Sequence, residues 1–314
     1  MNEGYYTQKR RAPNLRELLS KQQMIGQQKF TVAQAVLEAA HHLRTANIAE
    51  ARREAASLLS HIIARDRTYL LTHADAALAA SDVARLKAYV ERRAAGEPLQ
   101  YITGHQEFFN LDFEVTPDVL IPRPETELLV ERVLELLKET NTPQPLVCDI
   151  GTGSGCISIS VLHEQQNLRA VALDISVAAL CVAARNAARH HVRERLALLA
   201  SDAFTALDER RAQFDLIVSN PPYINESEVP TLQREVRDYE PRAALTPGTD
   251  GLRIIRQLLS EAARFLRADG HLLFEIGYDQ HAAIEDLIDR QVWTLRAFHK
   301  DLQNIPRTVE LRKR

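Results

Sequence analysis

Cysteine is scarce in this chain: Cys148, Cys156 and Cys181 are the only three in 314 residues, with no Cys-x-x-Cys pair. An odd count without paired spacing speaks against a disulfide framework and further against a thiolate metal site. All three read as small buried apolar residues. Long apolar runs are missing as well, so no segment is read as a membrane span. The opening residues, MNEGYYTQKRR, are polar and do not form a secretory signal. A cytoplasmic protein is expected. Excess positive charge is also lacking. With 39 Lys and Arg against 42 Asp and Glu, the net charge is −3, and no global field gathers nucleic acid. Neither internal repeats nor low-complexity tracts occur, and His41, His42 and His61 have no ligand spacing around them.

What is present, 45% apolar and 26% charged residues, is ordinary globular composition, and the length suffices for two domains. Residues 1–29 carry six Lys or Arg against two Glu. They read as an unstructured extension, with room for a short helix at Leu15–Leu19 and with Met24 as an alternative start. Residues 30–96 read as a small helical domain. Its first helix is announced by a capping box, Thr31 with Gln34, and by Val32, Val36, Ala39 and Leu43 at helical spacing. Helices at Glu50–Ala64 and Ser81–Ala95 follow. Gly96-Glu97-Pro98 ends this pattern. Residues 97–122, with turn residues Gly104 and Asn110 among aromatic and β-branched neighbours, predict a hairpin linker. Pro124, Glu125 and Glu127 suit the start of the next helix.

From Leu146 onward, strands and helices alternate. Strands are expected at Leu146–Ile150, Ala170–Asp174, Leu196–Ala200, Phe214–Ser219, His271–Ile276, Val292–Phe298 and Thr308–Leu311. Helices run to His163 and to His191, over Leu252–Leu266 and over Gln280–Arg290. Such spacing demands crossover connections and a largely parallel sheet. No helix separates the last two strands, so the final one can run antiparallel.

The stretch VCDIGTGSGCISIS is a strand, then Gly151, Gly153 and Gly155, then a helix. Glycines there allow close backbone approach to a ligand, and a helix N-terminus offers free N–H donors. Asp174 ends the next strand, placed to accept hydrogen bonds from both hydroxyls of an adenosine ribose. Three details favour S-adenosylmethionine over a dinucleotide. The glycines are spaced G-x-G-x-G. Asp149 precedes them and can hold an ammonium, directly or through water. Asp202, within Ser201-Asp202-Ala203-Phe204 at the third strand's end, can reach an adenine amino group.

SNPPYI follows the fourth strand, on the same sheet edge. Pro221 disfavours helical dihedrals for Asn220, and both prolines fix their own φ, so the loop is stiff. A planar NH2 acceptor is a poor nucleophile because its lone pair is delocalised. The Asn220 side-chain oxygen and the Pro221 carbonyl could take its two hydrogens, aim the nitrogen and stabilise developing positive charge. Tyr223 could stack on the acceptor and exclude water. No metal is needed.

LQYITGHQEF, VLIPRPETELLVE, DIGTGSGCI, SNPPYI, YEPRAAL with GTDGL, and DLQNIPRTVELR occur in that order across residues 30–314. Together they resemble the protein-(glutamine-N5) methyltransferases, in particular those acting on class I peptide chain release factors. The resemblance implies a Rossmann-like, seven-stranded class I S-adenosylmethionine-dependent methyltransferase domain over 123–314, behind a helical substrate-docking domain and a hairpin linker. It implies that the acceptor is the glutamine of a Gly-Gly-Gln loop in release factors 1 and 2, and that S-adenosyl-L-homocysteine is the product. Carried across, Gly151, Thr152, Gly153, Ser154 and Gly155 form the cofactor loop and Asp174 the ribose contact; Asn220, Pro221, Pro222 and Tyr223 form the glutamine clamp. Where the family can place an aromatic over adenine, this chain has Ala203, with Phe204 next.

Glutamine methylation of ribosomal protein L3 ranks second; family members with that substrate differ at IPRPETE. Adenine-N6 methylation of DNA ranks lower, since residues 30–95 have a formal charge of only +2 and duplex recognition with base flipping usually requires a basic recognition region. A module that binds the cofactor without transfer would leave Asn220 and Tyr223 unused, and a nicotinamide oxidoreductase leaves NPPY unexplained. The chain is expected to act as a monomer, without nucleic acid, membrane or metal. EPRAALTPGTDGL is expected to close over the site. Glu240 is open to two roles, substrate contact or loop anchor.

Overall fold

A computed structural model describes residues 30–140 and 142–314; the expectations placed on residues 1–29 lie outside them. The chain divides into two compact units, the second beginning at Gly96.

The first unit contains helices Val32–Thr45, Ala51–Ile63, Arg67–Thr72 and Ala80–Ala94. The predicted capping box is formed: Gln34 N–H donates to Thr31 Oγ1 (3.3 Å) and Thr31 N–H to Gln34 Oε1 (3.0 Å). Val32, Ala39, Leu43, Leu58, Leu59 and Leu86 make its core. Arg67–Thr72 was not anticipated. Six residues are too few for a periodic signal, and the helix starts on the side chain of Asp66, which accepts from Tyr69 N–H.

In the second unit a short helix, Leu99–Thr103, leads into β1 (His105–Phe108) and β2 (Leu111–Glu114). Phe109 and Asn110 both have positive φ, 51° and 59°, as a two-residue hairpin turn of matching twist requires. The hairpin is fastened to helix Val177–Arg189. The Asn186 amide accepts from Glu114 N–H (2.8 Å) and donates to the carbonyls of Glu114 (3.0 Å) and Ser154 (2.9 Å). One buried side chain thus ties the hairpin to the glycine loop.

The main sheet comprises β3 (Leu146–Ile150), β4 (Arg169–Asp174), β5 (Leu196–Ala200), β6 (Phe214–Ser219), β7 (Leu266–Glu275), β8 (Trp293–Lys300) and β9 (Pro306–Lys313). Its order is β5-β4-β3-β6-β7-β9-β8. The five strands from β5 to β7 are parallel, and β9 is antiparallel to both β7 and β8. Strand β7 starts earlier than expected, because Leu266 pairs with Phe214 across an irregularity before the register settles at His271 with Leu216. The polar run between those pairs hides the strand's beginning from a hydrophobic pattern.

Successive residues of the central strands feed two separate cores. Cys148, Ile217, Leu272 and Phe274 face one, and Val147, Leu216, Val218 and Leu273 face the other. Both faces are buried, so these strands read as continuous apolar runs. Of the three cysteines only Cys148 is fully buried; Cys156 is half-buried and Cys181 is exposed. Cys181 occupies an outward position on an amphipathic helix, where its apolar character gives no sign of its placement.

Strand β3 has β4 on one side and β6 on the other. Connections therefore leave in opposite directions from this pair, opening a crevice at the strands' carboxyl ends.

Candidate active site

The crevice is a cavity of about 340 Å³, within the range of small-molecule sites. The carboxyl ends of β3, β4, β5 and β6 supply Gly151, Gly153, Asp174, Asp202, Ala203 and Asn220 to its lining. Gly151, Gly153 and Gly155 have φ of 74°, 55° and 82°, left-handed conformations that a residue with a Cβ adopts only at a cost. A Cβ on Gly151 or Gly153 would meet no protein atom within 4 Å. The loop therefore presents bare backbone.

The loop is held from behind. Gly151 N–H and Thr152 N–H both donate to the Leu173 carbonyl (2.8 and 2.9 Å). One Asp174 oxygen accepts from Gly153 N–H (2.8 Å) and the other from Ser176 N–H (2.9 Å). Burial raises the Asp174 carboxyl above its usual range, while these N–H donors act against the rise. Each carboxylate oxygen keeps acceptor capacity for a diol at the cavity.

Asp149, Thr152, Ser154 and Gly155 do not line the cavity; they support it. Asp149 is fully buried, and its Oδ2 accepts from Thr152 Oγ1 (2.7 Å). Its Oδ1 is buried without a protein partner among the described residues, and burial pushes the carboxyl up to about 6. A cationic group arriving at the loop would supply what that atom lacks. An S-adenosylmethionine-sized ligand is compatible with this cavity, its bare loop and its carboxylates. Phe204, expected against the cofactor, is instead a core residue, 2% exposed and stacked on Phe265 at 5.0 Å. The turn at Ala203, with φ of 44°, leaves Ala203 at the cavity and sends the following ring inward. The large apolar wall comes from residues not singled out in the sequence: Ile175, 66% exposed, with Val119, Leu120 and Ile254. Ile175 directly follows the strand-end carboxylate, and its exposure is the signal that marks it.

Asn220, Pro221 and Pro222 also line this cavity, whereas Tyr223 faces a second, polar one of about 420 Å³ that includes Arg123, Glu125, Glu235, Glu275 and Arg307. The four-residue loop is the wall between the two. Asn220 Nδ2 donates to Thr126 Oγ1 (3.0 Å), and Thr126 Oγ1 donates to Glu275 Oε2 (2.7 Å). The Tyr223 hydroxyl donates to Glu275 Oε1 (3.2 Å). Thr126 and Glu275 are each 2% exposed. Burial first, then the neighbouring Glu275, raises the Tyr223 phenol far above its ordinary value, so it stays protonated. Gln280 Nε2 donates to the Tyr223 carbonyl (2.9 Å), while Gln280 Oε1 accepts from Gly277 N–H (2.9 Å).

Glu240 is an anchor. It is 6% exposed, bonds Arg123 at 2.5 Å and accepts from Ile121 N–H (3.3 Å). It thereby joins the IPRP segment to the loop carrying Pro241, Ala243, Ala244 and Thr246, which stand in the first cavity's lining. That loop is itself bonded to the one after NPPY, through Ile224 N–H to Leu245 O and Glu226 N–H to Gly248 O. Among the described residues no group of three His, Cys, Asp or Glu side chains converges as a metal site requires, and no helix is long and apolar enough to cross a membrane.

Residues 34–104 match the PrmC N-terminal domain, and residues 125–238 the methyltransferase small domain. A release factor glutamine methyltransferase of Koribacter versatilis is 42% identical over 284 residues, spanning 90% of this chain and 99% of that protein. One from Burkholderia pseudomallei is 45% identical over 258 residues, 81% of this chain and 89% of its own. Among solved structures, the release factor-specific protein-(glutamine-N5) methyltransferase of Alicyclobacillus acidocaldarius is 28% identical and covers 64% of this chain and 99% of its own, with a TM-score of 0.38.

Proposed function

The chain belongs to the release factor glutamine methyltransferase family, and from that premise we propose that it methylates N5 of the Gly-Gly-Gln glutamine in class I peptide chain release factors. S-adenosyl-L-methionine is the proposed methyl donor, bound in the cavity at the carboxyl ends of β3 to β6, and S-adenosyl-L-homocysteine the product. The protein is proposed to act as a cytoplasmic monomer, with residues 30–96 docking the protein substrate. The fold, a mainly parallel seven-stranded sheet with flanking helices that follows a helical domain in the chain, is that of a class I methyltransferase.

One observation carries the reading: Asn220 gives its amide nitrogen to Thr126, which leaves Oδ1 as an acceptor at the wall between the two cavities. A glutamine amide reaching that wall finds two acceptors for its two hydrogens, Asn220 Oδ1 and the Pro221 carbonyl. Both aim the nitrogen and stabilise the positive charge that grows on it during transfer. The bound donor supplies an electrophilic sulfonium methyl. A nitrogen–carbon bond forms as the carbon–sulfur bond breaks, the thioether leaves, and the extra amide proton departs to water afterwards. Tyr223, its hydroxyl fixed on Glu275, presents a ring that covers the planar amide and excludes water meanwhile. Gly151, Gly153 and Asp174 would hold the donor's amino-acid and ribose ends; Ile175 and Ala203 would cover its base.

The deciding experiment is transfer from isotopically labelled S-adenosyl-L-methionine to a purified release factor, ribosomal protein L3 or double-stranded DNA, with the labelled site mapped by peptide mass. Label on the Gly-Gly-Gln glutamine is expected. Label confined to L3 or DNA refutes the proposed acceptor.

A further inference from the structure

A primary amide has a donor end and an acceptor end of nearly identical shape, and only its hydrogen-bond partners decide which end faces where. For Asn220 the choice is decisive. With Oδ1 toward the acceptor it receives an N–H; with Nδ2 toward the acceptor it opposes one NH2 with another. The partner that chooses is Thr126 Oγ1, 3.0 Å from Asn220 Nδ2. A threonine hydroxyl owns one hydrogen, so what Thr126 offers Asn220 depends on where that hydrogen goes.

It goes to Glu275, 2.7 Å away. An ionised carboxylate only accepts. It therefore draws the hydrogens of Thr126 and Tyr223 toward itself, leaving Thr126 Oγ1 as a lone-pair acceptor toward Asn220. We infer that Glu275 and Thr126 are positioning residues that set the polarity of this chain, and that the carboxylate at its end fixes Asn220 with Oδ1 toward the methyl acceptor. The inference rests on the glutamine-methylating reading given above.

Several groups face this carboxylate. Burial pushes Glu275 up to about 7; the Thr126 and Tyr223 hydroxyls work against that rise, the charge of Glu125 adds to it and that of Arg307 opposes it. Cys156, at the start of helix Cys156–Glu164, also senses Glu275, but burial raises its thiol to about 12 and keeps it neutral. A protonated Glu275 owns a hydrogen of its own. It can donate to Thr126, Thr126 can then donate to Asn220 Oδ1, and the amide turns. Activity should therefore fall as pH drops through the Glu275 titration.

The test uses the full chain, labelled S-adenosyl-L-methionine and a purified class I release factor. Thr126→Val keeps the shape of the side chain and removes the hydroxyl; kcat should fall roughly 100-fold, with KM and the affinity for S-adenosyl-L-homocysteine unchanged. Thr126→Ser restores the hydroxyl and should recover most of the loss. Glu275→Gln, whose amide can donate, should lower kcat and abolish the acidic limb expected of the wild type near 7. The Asn220 side-chain NH2 resonance, assigned by its loss in Asn220→Asp, should titrate with that limb in wild type and not in Thr126→Val. Unchanged kcat in Thr126→Val, failure of Thr126→Ser to rescue, or an acidic limb persisting in Glu275→Gln would overturn the proposal. Should the wild type leave the glutamine unmethylated, the functional reading falls, and the NMR titration still decides the polarity of the chain.

Discussion

Gly251, in the GTDGL stretch expected to close over the site, offers no side chain for chemistry, yet its replacement by alanine should cripple transfer. Its φ is +70°, and a Cβ there would stand 2.3 Å from the Tyr223 carbonyl oxygen, 3.1 Å from the carbonyl carbon and 3.0 Å from Gln280 Nε2. The carbonyl cannot simply swing away, because Gln280 Nε2 donates to it at 2.9 Å. Restoring ordinary contact at 3.4 Å moves one of the two backbones by about 1 Å. A displacement of that size in a positioning loop costs about 10²-fold in rate, and the left-handed conformation adds about 1–2 kcal/mol of instability for a residue with a Cβ. Gly251 is not part of the cofactor cavity's lining. Gly251→Ala should therefore lose about 10² in kcat while S-adenosyl-L-homocysteine affinity, measured by calorimetry, holds. Full activity, or a loss of affinity as large as the loss of rate, would refute the claim that this glycine sets the position of the NPPY loop.

Other residues divide in the same manner. Asn220→Ala should abolish methyl transfer and leave cofactor affinity largely intact; equal loss of both would make Asn220 a scaffold residue. Asp174→Ala should weaken S-adenosyl-L-homocysteine binding by about 1.5–3 kcal/mol, since it deletes a charged acceptor for the ribose and for the Gly153 N–H; unchanged affinity would sink the ribose assignment. Away from the site, Glu310 is buried at 2% exposure beside Arg132 (2.8 Å) and His299 (2.7 Å). Burial would raise its carboxyl, but hydrogen bonds with His299 and Arg132, with His271 close by at 3.5 Å, hold it far below the usual range. A depressed folded-state value means stabilisation that is complete above the unfolded value of about 4.3 and is lost as pH falls below it. Glu310→Gln should cost about 3 kcal/mol at neutral pH and flatten the acid side of the stability profile, read by urea unfolding between pH 3 and 7.

The two halves of the site differed in how far the sequence disclosed them. The half proposed to hold the cofactor is built mainly by backbone: three glycines on a strand-to-helix turn and acidic residues closing neighbouring strands. These are local patterns, and Leu146–Ile150, Leu196–Ala200 and Phe214–Ser219 end where their hydrophobic runs end. The acceptor half is joined by side chains distant in the chain. Thr126 and Glu275 are 149 positions apart, and neither stands in a pattern that predicts the other. Thr126 sits inside IPRPETE, which reads as a helix start and does form a turn, Pro124–Thr126, before helix Glu127–Glu139. Nothing in that local role announces a hydroxyl aimed at Asn220. Phe204 shows the converse error. Its neighbour Asp202 does line the cavity, but a positive φ at Ala203 reverses the direction of the next side chain, and periodicity carries no trace of a single left-handed residue.

The same asymmetry bears on mechanism. A nucleotide-like ligand can be held by backbone amides and an apolar lid, which many sequences can supply. An amide nitrogen with a delocalised lone pair must instead be aimed, and aiming tolerates little movement. The NPPY loop is accordingly constrained at several points: by prolines within, by Thr126 on the Asn220 amide, by Glu275 on the Tyr223 hydroxyl, by Gln280 on the Tyr223 carbonyl and by the close packing of Gly251. None of these contacts is large by itself, at about 1 kcal/mol for a neutral hydrogen bond and about 1.5–3 kcal/mol for the one to the Glu275 carboxylate. They act on one rigid unit, so substitutions at Thr126, Glu275 and Gln280 should be strongly non-additive in kcat. A combined Thr126→Val and Gln280→Ala enzyme should be little slower than the worse of the two alone, because a loop already free to turn has little orientation left to lose; multiplicative losses would mean that each contact acts separately and that the loop is not one unit.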